Sequence, residues 1–332
     1  MGIIFSQGSG VNNDVFGKSQ EPIKMFLEKK VETFEKLSVV DKIFAKENSK
    51  NYAEKYSSMS SMNGFEPTGE GGAYPQDEMQ EGFSKIIENE TWKDKFVITQ
   101  EMVEDSKVID FKKKPTAFIN GYNRTKEQFG AALLGGAIAG PSVVFRGKKW
   151  STASADNKSV FAVDHPSKVK GPAQSNKFSN AFSDDALAMM ESAMQDFRDD
   201  NKNVLAITPD TIIIPNIASL KKSVFAAVGA DKDPNTANNG FNFLFGRWRI
   251  IVWQYLNQFI QEGTAPWILL DSTYNEENKT AVWQNRLDLT VKSYIDENTD
   301  NNVWAGRARF AAGFNDWRGI AVGGVADGTT LA

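Results

Sequence analysis

The chain has 332 residues, enough for one large domain or two, and 41% of them are hydrophobic, so a substantial core can form without covalent staples. Thirty-eight basic against 42 acidic residues leave a formal charge of −4, the wrong sign for a dedicated nucleic-acid binder. No cysteine and a single histidine exclude disulfides, thiol nucleophiles, zinc-thiolate and iron–sulfur centres, and every multi-histidine metal motif.

The first residues, Met1-Gly2-Ile3-Ile4-Phe5-Ser6, lack the basic and long apolar regions of a secretory leader. They match a loose myristoylation pattern but read as the start of a Gly/Ser/Asn-rich arm. Residues 21–46 carry Leu27, Val31, Phe34 and Leu37 on one helical face, predicting an amphipathic helix with Pro22 in its first turn. Residues 48–80 then lose all periodicity, and a stretch of about thirty such residues marks a functional extension. Residues 83–87 and 96–99 are expected as the two arms of a hairpin returning from it.

A helix is expected over 115–139, with Pro115 in its first turn and Phe118, Tyr122, Phe129, Leu133 and Ile138 on its buried side. Gly130, Gly135 and Gly136 weaken that helix, and Gly140-Pro141 ends it. The most apolar stretch, 131–145, is interrupted by glycines and a proline and falls short of the ~20 residues that span a bilayer, so a soluble chain is expected. A strand over 143–146 follows, and then a polar loop region.

Ser183 is the expected N-cap of a helix carrying Asp184 and Asp185 in its first turn and Leu187, Met190, Met194 and Phe197 on its buried stripe. Next come a β-rich run over 205–215, a helix near 218–228, an Asn/Asp/Gly loop over 229–240, and strands over 247–255, 267–271 and 281–295. In the last, Trp283, Leu287, Leu289 and Val291 alternate with Gln284, Arg286, Asp288, Thr290 and Lys292, a strand with one buried face. The fold class is α+β, without internal repeats.

No catalytic constellation stands out. Asp164-His165 are adjacent and lack a nucleophile elbow, so His165 reads as a structural loop residue. Residues 140–148 miss the Walker A spacing. The acidic runs beginning at Asp231 and Asp296 lack the glycine and final glutamate of a calcium loop and read as polar turns. The 8 Trp and 23 Phe, without an interleaved basic patch, suit core and interface packing. No cofactor and no metal are expected.

Five segments in order carry a family resemblance: 96–102 (FVITQEM), 161–166 (FAVDHP), 205–215 (LAITPDTIIIP), 234–240 (PNTANNG) and 266–271 (PWILLD). Together the chain resembles tailed-bacteriophage major capsid (head) proteins, in particular their Mu-like head-subunit branch. The resemblance implies the tailed-phage shell fold. Residues 1–58 become an N-terminal arm with the amphipathic helix and 59–98 an extended E-loop. Residues 99–182 become a P-domain whose spine helix is 115–139, 183–279 an A-domain, and 280–332 the return to the P-domain.

It also implies self-assembly into pentamers and hexamers of an icosahedral head in the virion, assembled in the host cytoplasm. The implied partners are a scaffolding protein, a portal and decoration proteins, and the shell encloses double-stranded DNA without sequence-specific binding and without a membrane. No coiled-coil segment precedes the arm, so scaffolding is expected from a separate protein. Residues 69–80 hold no lysine, which argues against the Lys–Asn cross-link of some relatives. Phe65 and Tyr74 are the expected E-loop anchors in a neighbouring subunit. An encapsulin-like compartment with enzyme cargo and a glycan-binding or glycan-hydrolysing enzyme remain as alternatives.

Overall fold

The computed structural model describes residues 4–5, 38–59, 65, 67–70, 72–74, 76, 81–99, 101–102, 108–169, 171–229 and 242–331. Its first half contains β1 (Ile4–Phe5), α1 (Val40–Ile43), β2 (Ala45–Asn48), β3 (Ala53–Met59), β4 (Glu81–Glu88) and β5 (Glu90–Ile98). The helix α2 (Val108–Ala139) and the hairpin β6 (Ser142–Phe145) and β7 (Lys148–Ser151) follow. The second half contains α3 (Asp184–Gln195), β8 (Thr211–Pro215), α4 (Ala218–Gly229), β9 (Arg249–Trp253), a 3₁₀ turn (Gln254–Gln258) and β10 (Trp267–Leu270). It closes with α5 (Ser272–Asn278), β11 (Ala281–Asp296), β12 (Asn301–Phe314) and β13 (Ile320–Gly323).

Two sheets organise these elements. The larger runs β1-β11-β12-β5, with β2 also paired to β11; β11–β12 and β12–β5 are antiparallel, and β1 and β2 lie parallel to β11. The smaller runs β13-β10-β8-β9, with β8 and β9 parallel. The buried strand residues, Ile212–Ile214 and Trp267–Leu270 among them, give this sheet its continuous apolar runs. One hydrophobic cluster joins both sheets to α2. At its centre Trp92 stacks on Phe310 at 5.0 Å, Trp283 on Phe310 at 5.1 Å, and Phe129 meets Trp150 edge-on at 4.6 Å.

The helix α2 starts seven residues before the expected boundary, so Pro115 lies inside it. Having no N–H, Pro115 cannot donate to the carbonyl of Phe111, and the helix continues through the missing bond. From Gly130 to Ala137 every residue is buried, which explains the glycines. A Cβ on Gly136 would come within 2.4 Å of Val143 Cβ, and one on Gly130 within 2.8 Å of Val40 Cγ2. They cost helix propensity and permit close contacts of the helix with β6 and with α1.

Several expectations need correction. Most of the helix predicted over 21–46 lies outside the described residues, but its end is α1 followed by β2, drawn into strand form by pairing with β11. The hairpin arms are β3 and β4, paired from Ala53↔Glu88 to Met59↔Glu81, rather than 83–87 with 96–99. The strand β5, grouped with the extension by sequence, leaves the hairpin after Asn89 and joins β12. The run 205–215 is a strand only from Thr211, and Ala206 adopts a positive φ of 50°. The loop expected over 229–240 lies almost wholly outside the described residues.

The long strand β11 carries two register shifts, between Asn285 and Leu287 and between Leu287 and Thr290. Each bulge reverses which residues face the core. Trp283, Leu289 and Val291 are therefore buried as expected, while Leu287, between the two shifts, is only half-buried. Gln284, expected outward, is completely buried beneath the β3–β4 hairpin.

Candidate assembly surface

The β3–β4 hairpin lies on the end of the large sheet nearest Val282. Ile87 packs on Val282 and Ala311, with Tyr56 beside them. Tyr56 Oη–H donates to Gln284 Oε1 at 3.1 Å, and Gln284 Nε2 donates to the Ile87 carbonyl at 3.3 Å. Burial, with the charges of Glu47 and Glu54, pushes the Tyr56 phenol up to about 12. On the side of β4, Lys168 Nζ donates to the carbonyls of Glu81 and Gly82, both at 2.7 Å. Lys85 Nζ donates to Ser151 Oγ at 2.9 Å. The hairpin root is thus held by hydrogen bonds on both strands.

Beyond the root the described residues 65, 67–70, 72–74 and 76 are all exposed. Phe65 and Tyr74 have relative exposures of 109% and 99%, and Glu70 is exposed beside the turn in which Gly72 N–H donates to the Gly69 carbonyl. Two aromatic side chains wholly in water are a cost that contact with another surface removes. Large apolar side chains are also exposed at Phe225 on α4 and at Phe243 and Phe245.

A cavity of about 570 Å³ opens between the hairpin and the body, lined by Tyr56, Asp200, Tyr274, Asp316 and Arg318 among others. Its floor is a buried charge network. Arg318 donates to Asp316 at 3.1 Å and to Asp200 at 3.3 Å, and its Nε–H bonds the Arg198 carbonyl at 3.0 Å. Tyr274 Oη–H donates to Asp316 at 2.8 Å. Burial, followed by the Asp316 charge, moves the Tyr274 phenol well above its ordinary value. Every guanidinium nitrogen here already has a partner, so the network fastens residues 198–200 to 316–318.

The other titratable features serve the fold. His165 is fully buried and stacks on Trp317 at 4.3 Å, with Nδ1 2.6 Å from Asp156 Oδ2 and Nε2 3.1 Å from Asn176 Oδ1. Its neighbour Asp164 instead meets Lys158 at 2.6 Å. Burial pushes the Asp156 carboxyl up, but the His165 hydrogen bond and charge, with Ser154, outweigh it and leave the group below its ordinary value. Residues 140–148 take in β6 and its turn into β7, where Arg146 and Gly147 both have positive φ.

Ser183 caps α3 by accepting from Ala186 N–H at 3.0 Å. Asp199 accepts from the N–H groups of Asn201 and Asn203. The run from Asp296 is the β11–β12 turn; the run from Asp231 lies outside the described residues up to Asn242. Among the described residues no group of three or more acidic or histidine side chains is arranged to hold a metal ion.

Sequence reasoning singled out Phe65 and Tyr74 but missed Lys168 and Gln284. Their roles depend on contacts 86 and 228 residues away in the chain, which leave no local pattern.

A sequence profile described as phage capsid protein matches residues 83–323. A search of curated proteins finds no match. Among solved structures, the asymmetric unit of the bacteriophage PhiM1 mature capsid superposes with a TM-score of 0.50 at 9% identity, covering 85% of each chain. The Mycobacterium phage Patience structure gives 0.48 at 12% identity, covering 100% of this chain and 95% of that one. The procapsid of bacteriophage JBD30 gives 0.47 at 13%, covering 93% and 75%.

Proposed function

The chain belongs to the phage capsid protein family and is a structural subunit of the head shell rather than an enzyme; from that premise we propose how its parts are used. The match over residues 83–323 carries the reading, because it spans α2, the whole smaller sheet and strands β5, β11 and β12 of the larger one. We assign the chain to the Mu-like head-subunit branch on the five ordered segments of its sequence.

In this reading residues 1–52 are the N-terminal arm, shortened from 1–58 because β3 begins at Ala53, and the E-loop is the β3–β4 hairpin with its extension. The P-domain is α2 with the large sheet, including the chain's return over 280–332. The A-domain is α3, α4, β8, β9 and β10, over 183–279, and β13 of the return completes its sheet. Pentamers and hexamers then form by head-to-tail contacts that close into rings and a shell. Phe65 and Tyr74 are the anchors that each extension presents to its neighbour. A scaffolding protein, a portal and decoration proteins complete the head in the host cytoplasm. The enclosed double-stranded DNA is held without sequence readout.

Negative-stain microscopy of the purified protein, with its scaffold co-expressed, tests this directly. Closed shells are expected; a protein that stays monomeric at high concentration overturns it.

A further inference from the structure

A histidine ring offers its neighbours one N–H and one bare nitrogen when neutral, and two N–H groups when protonated. The hydrogen bonds around a wholly buried ring therefore report its charge. His165 is such a ring, 0% exposed and the only histidine in the chain. Its Nδ1 lies 2.6 Å from Asp156 Oδ2, and its Nε2 lies 3.1 Å from Asn176 Oδ1.

Both of these oxygens are acceptors. Asp156 Oδ1 accepts from Ser154 Oγ at 2.6 Å and from the Lys158 N–H at 3.1 Å, bonds that hold the carboxyl ionised. The Asn176 amide is oriented by its other partners. Its Nδ2 donates to the carbonyls of Val160 at 2.7 Å, Trp317 at 3.1 Å and Ile320 at 2.9 Å, and its Oδ1 accepts from the Ala162 N–H at 3.0 Å. Turning the amide over would set its oxygen against those carbonyls and its NH2 against an N–H. A neutral ring would then leave one bare nitrogen against an oxygen, away from water, with no proton between them.

We propose that His165 is an imidazolium in the folded protein, donating from both ring nitrogens, and that this buried proton fastens residues 154–176 to the loop between β12 and β13. That loop carries the chain from the large sheet to the smaller one. Within it Trp317 stacks on the ring at 4.3 Å, and the Asn176 amide grips the carbonyls of Trp317 and of Ile320, the first residue of β13. The joint between the sheets is thereby proton-dependent. Removing the proton breaks one of the two ring bonds and leaves the Asp156 charge buried without its counter-charge.

The other charged groups around the ring have partners of their own. Asp164 meets Lys158 at 2.6 Å. Arg318 lies 4.8 Å over the Trp317 ring and is paired with Asp316 and Asp200. On the hairpin strand β4, Lys85 feels the Asp156 charge while its Nζ donates to Ser151 Oγ. A free histidine loses its proton near pH ~6.5. The unfolded chain gives the proton up there and the folded protein keeps it. The clamp's contribution is therefore complete below pH ~6.5 and is lost as pH rises above it.

Because the chain has one histidine, isotopic labelling of the ring nitrogens gives a single pair of magnetic resonance signals. At pH ~8, above the free value, the wild-type protein should show both nitrogens protonated; a bare nitrogen there overturns the proposal. Asp156→Asn, which removes the counter-charge, should lose one ring proton at the same pH, and retention of both refutes the part given to Asp156. His165→Gln keeps a polar side chain without the charge. The difference in urea midpoint between wild type and this variant should shrink as pH rises from ~6 to ~9; a constant or growing difference removes the clamp. The wild-type spectrum decides the charge of the ring even where neither variant folds.

Discussion

Glu127 and Trp253 are joined by a buried hydrogen bond, the indole N–H donating to Oε2 at 2.9 Å. The other oxygen, Oε1, accepts from Ser38 Oγ at 2.8 Å and from the N–H groups of Val39 and Val40 at 2.9 and 3.4 Å. A carboxylate in the middle of α2 thus satisfies the first N–H groups of α1, whose N-cap Val39 makes no side-chain bond, beside Ser38 Oγ, which accepts from the Asp41 N–H, and it ties the helix to the end of β9. Helix, arm root and smaller sheet meet at one side chain.

Glu127→Ala should therefore leave several buried donors unsatisfied at once and cost about 2–4 kcal/mol. Glu127→Gln, which keeps one acceptor, should cost less. Urea unfolding of the two variants checks the order; equal losses would mean that the charge, and not the acceptor count, matters.

The bulges of β11 give a second prediction. Leu289→Ala should cost about 2–5 kcal/mol, whereas Leu287→Ala should cost under about 1.5 kcal/mol because its side chain is half in water already. Thermal denaturation of both variants separates them, and a larger loss at Leu287 would refute the register shifts.

Two groups set opposite edges of the pH range. The Tyr56 phenol lies above its ordinary value, at about 12, so its contribution is present below pH ~10 and disappears as pH rises toward 12. Asp156 is held below its ordinary value, so its contribution is present above pH ~4 and is lost as pH falls through the folded value. Stability against pH should lose part of its alkaline step in Tyr56→Phe, the raised Tyr274 phenol supplying more of it, and part of its acid step in Asp156→Asn. Tyrosinate absorbance follows the first and urea midpoints the second.

Replacing residues 68–80 with a short Gly-Ser linker should leave the subunit's circular dichroism and melting temperature nearly unchanged, since Tyr74 buries nothing within the chain. Shell formation should fail or stop at loose capsomers. An unfolded subunit, or normal shells, would refute this division between folding and assembly.

Features set by neighbouring residues were legible in the sequence. Ser183 with its two aspartates marked the start of α3 because a cap and a dipole act within one turn. Trp283, Leu289 and Val291 marked the strand β11, but the displaced Leu287 was not legible, since a bulge is fixed by the partner strand. The strand β12, with Gly306 and Gly313 and its Ala308, Ala311 and Ala312, gave no alternating pattern, although its core-facing small residues let α2 and Ile87 approach. A Cβ at Gly306 would come within 2.3 Å of Phe118. Phe65 and Tyr74 were legible as aromatics in a polar segment, and both side chains are exposed.

Lys168 holds the hairpin by two main-chain carbonyls, and that grip gives it the mechanics of a lever. The bonds fix a point through the main chain alone, leaving the Glu81 side chain to Lys55 at 3.2 Å. An arm of seven or eight residues extends about 25 Å. A rotation of about 10° at such a fulcrum carries the far end about 4 Å, close to the spacing of two strands. Subunits with one rigid body could thus meet neighbours at different angles, as the bends of a closed shell require, by turning the arm at its root without reshaping the core.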